Sequence, residues 1–176
     1  MRFDAMRRGA GLLALVIGGM LATSAQAVTF SYANFADTTG LQVNGDATAA
    51  NIAGRDVLRL TPPQGGAGGS VYNTQAISLS DNYGFSTRFA FNIGSNNVNE
   101  YGEIGADGIA FVIQTVSNNV GGLGGGLGYA GVTPSVEVEF DTYSNGGTDP
   151  RLNGSGSLAG NDHIAIMQNG DPNNHL

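Results

Sequence analysis

Phe85, Thr87, Phe89, Phe91 and Ile93 alternate with Ser86, Arg88, Ala90 and Asn92, so the stretch FSTRFAFNI reads as a strand with one ring-lined face. Similar short alternating or apolar runs occur in VTFSYANF (28–35), DVLRLT (56–61), TQAISL (74–79), GIAFVIQT (108–115), SVEVEFDTY (135–143) and HIAIMQ (163–168). Gly, Asn, Asp, Ser or Pro clusters bound each of them, and no segment carries a sustained helical stripe. Seven or so short strands joined by turn chemistry predict an all-β, antiparallel β-sandwich or barrel, with function in the loops at one edge.

The run SVEVEFDTY differs from the others. Its pleat sends Val136, Val138 and Phe140 to the core and Glu137, Glu139 and Asp141 out to the opposite face. Like charges at successive same-face positions repel, and no Lys or Arg stands nearby in sequence to offset them. A solvated acidic face is the plain reading. Two functional readings compete with it: carboxylates paired for acid and base work on a glycoside, or carboxylates that neutralise a cation. Downstream, Asn145 and Asp149 add oxygen ligands from a Gly-rich turn, and His163 opens the next strand with a nitrogen suited to a transition metal.

Charge and composition narrow the partners. Residues 1–27 have the grammar of a secretory signal: Arg2, Arg7 and Arg8, then GLLALVIGGMLA, then TSAQA before a cut at Val28. The apolar run is shorter than the roughly 20 residues that span a bilayer, which speaks against membrane insertion. Beyond the signal, four arginines and no lysine face thirteen acids, a net charge of −9. Nucleic acid and anionic membrane surfaces need a basic patch and are therefore poor partners. Cations and neutral polar ligands remain. With no cysteine, an exported chain cannot staple itself with disulfides, and metal is the remaining candidate staple. The 29 glycines point to many turns, and GGLGGGLG at 121–128 reads either as a flexible loop or as backbone that approaches a ligand closely.

Glu139-Phe140-Asp141-Thr142-Tyr143-Ser144-Asn145, then Asp149-Pro150, then His163-Ile164-Ala165-Ile166 closely resembles the metal-binding signature of the legume-type (L-type) lectins. DVLRLT, GSVYNTQAISL, FSTRFAFNI, ADGIAFVIQ and GGGLGYAG follow the same family order, so the resemblance covers residues 28–176 almost throughout. It implies a concanavalin-like jelly roll that binds carbohydrate without catalysis, in a secreted protein: extracellular, periplasmic or at the cell surface.

The resemblance also implies site roles. A transition metal such as manganese is held by the positions matching Glu139, Asp141, Asp149 and His163. Calcium is held by those matching Asp141, the Tyr143 carbonyl, Asn145 and Asp149. The glycan is gripped by Asp107 of the ADG motif, by the Gly125 amide and by the Asn145 side chain, with Tyr143 stacking on the sugar ring. The Ala106–Asp107 bond is expected in the cis form. Family members also pair through sheet faces, which makes a homo-oligomer a further expectation.

The sequence departs from the family in places. RLNGSGSLAGND lengthens the connection between Asp149 and His163, leaving Asp162 as an alternative ligand. Glu137 stands where a small or apolar residue is usual, and Thr148 replaces a Trp. The family's remaining strands correspond to sequence beyond residue 176, so the expected sandwich is incomplete, with an uncovered apolar face. Two other classes stay open. A glycoside hydrolase of related sandwich fold would use Glu137, Glu139 and Asp141, whose same-face spacing suits the roughly 5 to 5.5 Å of a retaining pair. A surface or matrix scaffold would bind nothing.

Overall fold

The computed structural model describes residues 28–79, 84–94, 105–119, 121–143, 145 and 162–176. The expected signal at 1–27, the ligand candidate Asp149 and the connection 151–161 lie outside the described residues. Contacts divide the chain into Met1–Phe30 and Ser31–Leu176, and the strands named below all lie in the second unit.

Among the described residues there are eight strands: β1 (Leu41–Gly45), β2 (Thr48–Ile52), β3 (Arg55–Arg59), β4 (Gly69–Asn73), β5 (Gly108–Gln114), β6 (Ser135–Asp141), β7 (His163–Gln168) and β8 (Asp171–His175). A 3₁₀ turn at Gly124–Gly126 lies between β5 and β6. β1 pairs with β4, β2 with β3, and β5-β6-β7-β8 form a four-stranded sheet, all antiparallel. The expected all-β, antiparallel class is borne out. No helix among the described residues is long and apolar enough to cross a membrane.

Turn chemistry shows why β7 and β8 pair. Asn169 and Gly170 both take positive φ, 60° and 65°, as a two-residue hairpin turn of the mirror type requires, and Asn-Gly is the dipeptide that adopts it most readily. A Cβ on Gly170 would stand 2.5 Å from the Val132 nitrogen, so the turn is also pressed against the chain that enters β6.

The register of the large sheet sorts its side chains. On one face, Ile109 faces Phe140, Phe111 faces Val138, and Phe140 and Val138 face Ile164 and Ile166. Rings from the segment 84–94 lie over it: Phe89 is 5.8 Å from Phe111 and Phe91 is 4.7 Å from Phe140, centroid to centroid. Such ring pairs add dispersion and quadrupole attraction to area burial. The face is nonetheless open in places, with Val136 42% and Ile164 68% exposed.

Four sequence expectations need correction. FSTRFAFNI, VTFSYANF and TQAISL carry no ladder strand among their described residues. The rings of FSTRFAFNI do share the predicted apolar face, but alternation reports one-sided packing, whereas a strand assignment also needs a hydrogen-bonded neighbour. The fourth correction concerns the acids. Glu137, Glu139 and Asp141 do lie opposite Val136, Val138 and Phe140, yet theirs is the buried face: 0%, 2% and 5% exposed. It is covered by the Gly-rich loop and the β7–β8 turn, which supply the hydrogen bonds that carboxylates need when water is removed.

Candidate functional site

Small neighbours make room for the acids. Across the ladders, Glu139 stands between Ala110 and Ala165, and Asp141 between Gly108 and His163, while Glu137 lies between Val112 and Met167. The hydroxyl of Tyr129, itself 0% exposed, donates to Glu139 Oε2 at 2.6 Å. His163 Nε2 lies 3.1 Å from Glu139 Oε1, so both oxygens of this carboxylate are engaged and its plane is fixed. Asp141 Oδ1 accepts the Tyr143 N–H at 2.7 Å, which holds the start of the next loop against the end of β6.

Glu137 lies deeper. Its Oε1 accepts the Gly170 N–H at 3.3 Å, and its Oε2 is buried with no hydrogen-bond partner among the described residues. Burial pushes its pKa above the ordinary 4.5; hydrogen bonds from Ser135 and Gly170 oppose the rise, and the neighbouring Glu139 charge adds to it. Tyr129 is held as a protonated donor, its pKa raised by burial and then by its bond to Glu139.

A second cluster assembles at the same end of the sheet from three separate stretches. Asn145 Nδ2 donates to Asp107 Oδ1 at 2.9 Å. Gly125 packs so closely on Asn145 that a Cβ there would stand 2.7 Å from Asn145 Cγ. A Cβ on Gly124 would sit 3.7 Å from Asp107 Oδ2, so this part of the loop leaves the carboxylate uncrowded. The Ala106–Asp107 peptide is cis, as expected, and the Asp107 carbonyl accepts the Thr142 N–H at 2.8 Å, tying the two loops together. Asp107, Tyr143 and Asn145 are only partly buried, so a ligand can reach them.

The structure therefore brings together Asp107, Gly125 and Asn145 as one group, and sets Glu139, Asp141 and His163 side by side on β6 and β7. Asp162, the alternative to His163, lines an open cavity of about 470 Å³ that also touches Asp141, Thr142 and His163. Among the described residues no three His, Asp or Glu side chains converge as a ligand group, and Asp149 is not among those residues. The donor types still fit metal. Carboxylate and amide oxygens suit calcium, and one imidazole beside two carboxylates suits a borderline transition ion. Three carboxylates buried on one strand face also call for positive charge. Sequence reasoning missed Tyr129, although a tyrosine inside GGGLGYAG was a usable signal, because a buried phenol seeks a hydrogen-bond partner.

Residues 27–170 match the profile described as the legume lectin domain. The chain is also 34% identical over 147 aligned residues to the lectin alpha chain of Lablab purpureus. That alignment covers 73% of this chain and 49% of the relative, so the chain spans about half the length of the curated protein it resembles.

Proposed function

The chain belongs to the legume lectin domain family, and from that premise we propose that it binds a glycan at the cluster of Asp107, Gly125 and Asn145. The family implies a concanavalin-like β-sandwich and is non-catalytic, which sets aside the hydrolase reading. The burial of Glu137 and Glu139, at 0% and 2% exposure, points the same way, because neither could reach a glycosidic oxygen.

The observation that carries the proposal is the meeting of Asp107, Gly125 and Asn145 from three stretches of chain. A pyranose offers adjacent hydroxyls that both donate and accept. The Asp107 carboxylate accepts, the Gly125 N–H donates, and the Asn145 amide can do either, so the three can fix one pair of hydroxyls in orientation. Tyr143 contributes an aromatic face for the C–H side of the ring.

The reading includes metal. Glu139, Asp141, Asp149 and His163 would hold manganese or another transition ion, and Asp141, the Tyr143 carbonyl, Asn145 and Asp149 would hold calcium. The ions would supply the positive charge that the buried carboxylates lack. The chain's own residues do the rest: Asp141 fixes Tyr143 through its N–H, and Asp107 fixes the Asn145 amide. We also propose export, on the signal pattern of residues 1–27. A glycan array with the full chain in calcium and manganese, run beside Asp107→Ala, tests the proposal. Binding by wild type and not by the variant supports it; equal binding by both contradicts it.

A further inference from the structure

The Gly-rich loop is folded on itself before it touches the sheet. Leu127 N–H donates to the Gly124 carbonyl at 2.8 Å, Tyr129 and Ala130 N–H both to the Gly126 carbonyl at 2.9 Å, and Gly122 N–H to the Ala130 carbonyl at 2.8 Å. The segment 121–130 can therefore move as one piece, and where it stands depends on what pins it. Two pins are visible. Gly131 N–H donates to the Gly170 carbonyl at 2.8 Å, fastening the loop's exit to the β7–β8 turn. The other is the Tyr129 side chain, which crosses to β6 and donates to Glu139 Oε2 at 2.6 Å.

These two pins differ in kind. A backbone bond between Gly131 and Gly170 is indifferent to charge. A phenol donating to a carboxylate is a charge-assisted bond, roughly twice as strong as a neutral one and sensitive to whatever else engages that carboxylate. Tyr129 is fully buried, so no water can take its place on Glu139. Because Glu139 Oε1 faces His163 and Oε2 faces Tyr129, the tyrosine also fixes the plane in which this carboxylate presents its remaining lone pairs. Three residues before Tyr129 lies Gly126, whose carbonyl receives the Tyr129 N–H, and next to it Gly125 rests against Asn145. A continuous path thus leads from Glu139 through Tyr129 to the proposed sugar clamp.

We propose that Tyr129 is a positioning residue that ties the Gly-rich loop to Glu139, so that engagement of Glu139 by a cation sets where Gly125 stands against Asn145 and Asp107. The inference rests on the metal part of the proposed function and is tested with metal ions alone, so that it does not depend on finding the sugar.

The experiment is hydrogen–deuterium exchange on the full chain with and without manganese and calcium, for wild type and Tyr129→Phe, alongside calorimetric titration of manganese. In wild type the ions slow exchange in both β6 and segment 121–131. In Tyr129→Phe they slow exchange in β6 but not in the loop, and manganese binds about ten-fold more weakly, as expected for one lost bond to a charged group. Loop protection that persists in Tyr129→Phe would overturn the proposal, leaving Gly131–Gly170 as the sufficient pin. So would a wild-type loop that ignores the ions while β6 responds. If the ions change neither segment in wild type, the metal reading fails, and this inference with it. Should Tyr129→Phe not fold, Glu139→Gln keeps an acceptor but removes the charge. Its metal-free loop then exchanges faster than wild type, and equal rates overturn the proposal.

Discussion

Asn145 Nδ2 donates to Asp107 Oδ1 at 2.9 Å, joining two residues 38 positions apart in sequence. This bond orients the amide and leaves Asp107 with a second oxygen for a ligand hydroxyl. Asp107→Ala should therefore abolish glycan binding while leaving the metal-induced rise in melting temperature largely intact. At 100-fold excess of ion over its Kd, that rise corresponds to about 2.7 kcal/mol. Differential scanning fluorimetry and the array read the two effects separately; loss of both would make Asp107 structural.

Gly125 has no room for a side chain. A methyl group at that position would stand 2.7 Å from Asn145 Cγ and 2.8 Å from its Oδ1. Gly125→Ala should push the loop from the clamp and cost glycan affinity about 10-fold or more, the scale of 1–3 kcal/mol for overpacking. Manganese binding, measured by calorimetry, should weaken by less than glycan binding, because the substitution reaches Glu139 only through the Tyr129 tie. Unchanged glycan affinity would remove Gly125 from the site.

His163 and Asp162 can be told apart by ion preference. His163 Nε2 lies 3.1 Å from Glu139, and its strand position faces Asp141. Imidazole favours transition ions over calcium. His163→Ala should weaken manganese at least about 10-fold and calcium by much less, whereas Asp162→Ala should leave both nearly unchanged. The reverse pattern would assign the ligand to Asp162.

Glu137 provides a test by pH. Its pKa is raised above 4.5 in the folded state, so the native protein binds a proton there more tightly than the unfolded chain does. The stabilisation this brings is fully present below the unfolded value and is lost as pH rises through the raised one. In metal-free protein, the melting temperature of wild type should fall relative to Glu137→Gln across that window, by about 2–4 °C for each kcal/mol. Parallel curves would show that Glu137 keeps an ordinary pKa.

The order of the acidic row and the meeting of Asp107, Gly125 and Asn145 were legible because the motifs are local: Glu139 to Asn145 is one continuous stretch, and ADG and GGGLG are compact. Which face of β6 is covered was not legible. Period two shows that Glu137, Glu139 and Asp141 share a side, but only the long-range approach of Tyr129 and Gly170 makes that side the buried one. FSTRFAFNI misled in a related way. Its rings pack on Phe111 and Phe140, yet packing rings over a sheet does not require joining its ladder. β8, which follows the Asn169-Gly170 turn, was missed because DPNNH has no apolar alternation, and β1 and β2 carry too little to stand out as strands.

The central claim couples metal to sugar through neighbouring side chains, since Asn145 is assigned to both the calcium site and the clamp, and Asp141, proposed to hold both ions, accepts the Tyr143 N–H. Calorimetric titration of an array-selected glycan tests it most directly, using the full chain loaded with calcium and manganese, then exhaustively chelated, then reloaded. The account predicts binding in the loaded protein, loss of at least about 100-fold in affinity after chelation, or about 2.7 kcal/mol, and recovery on reloading. Binding that survives thorough chelation unchanged would contradict it.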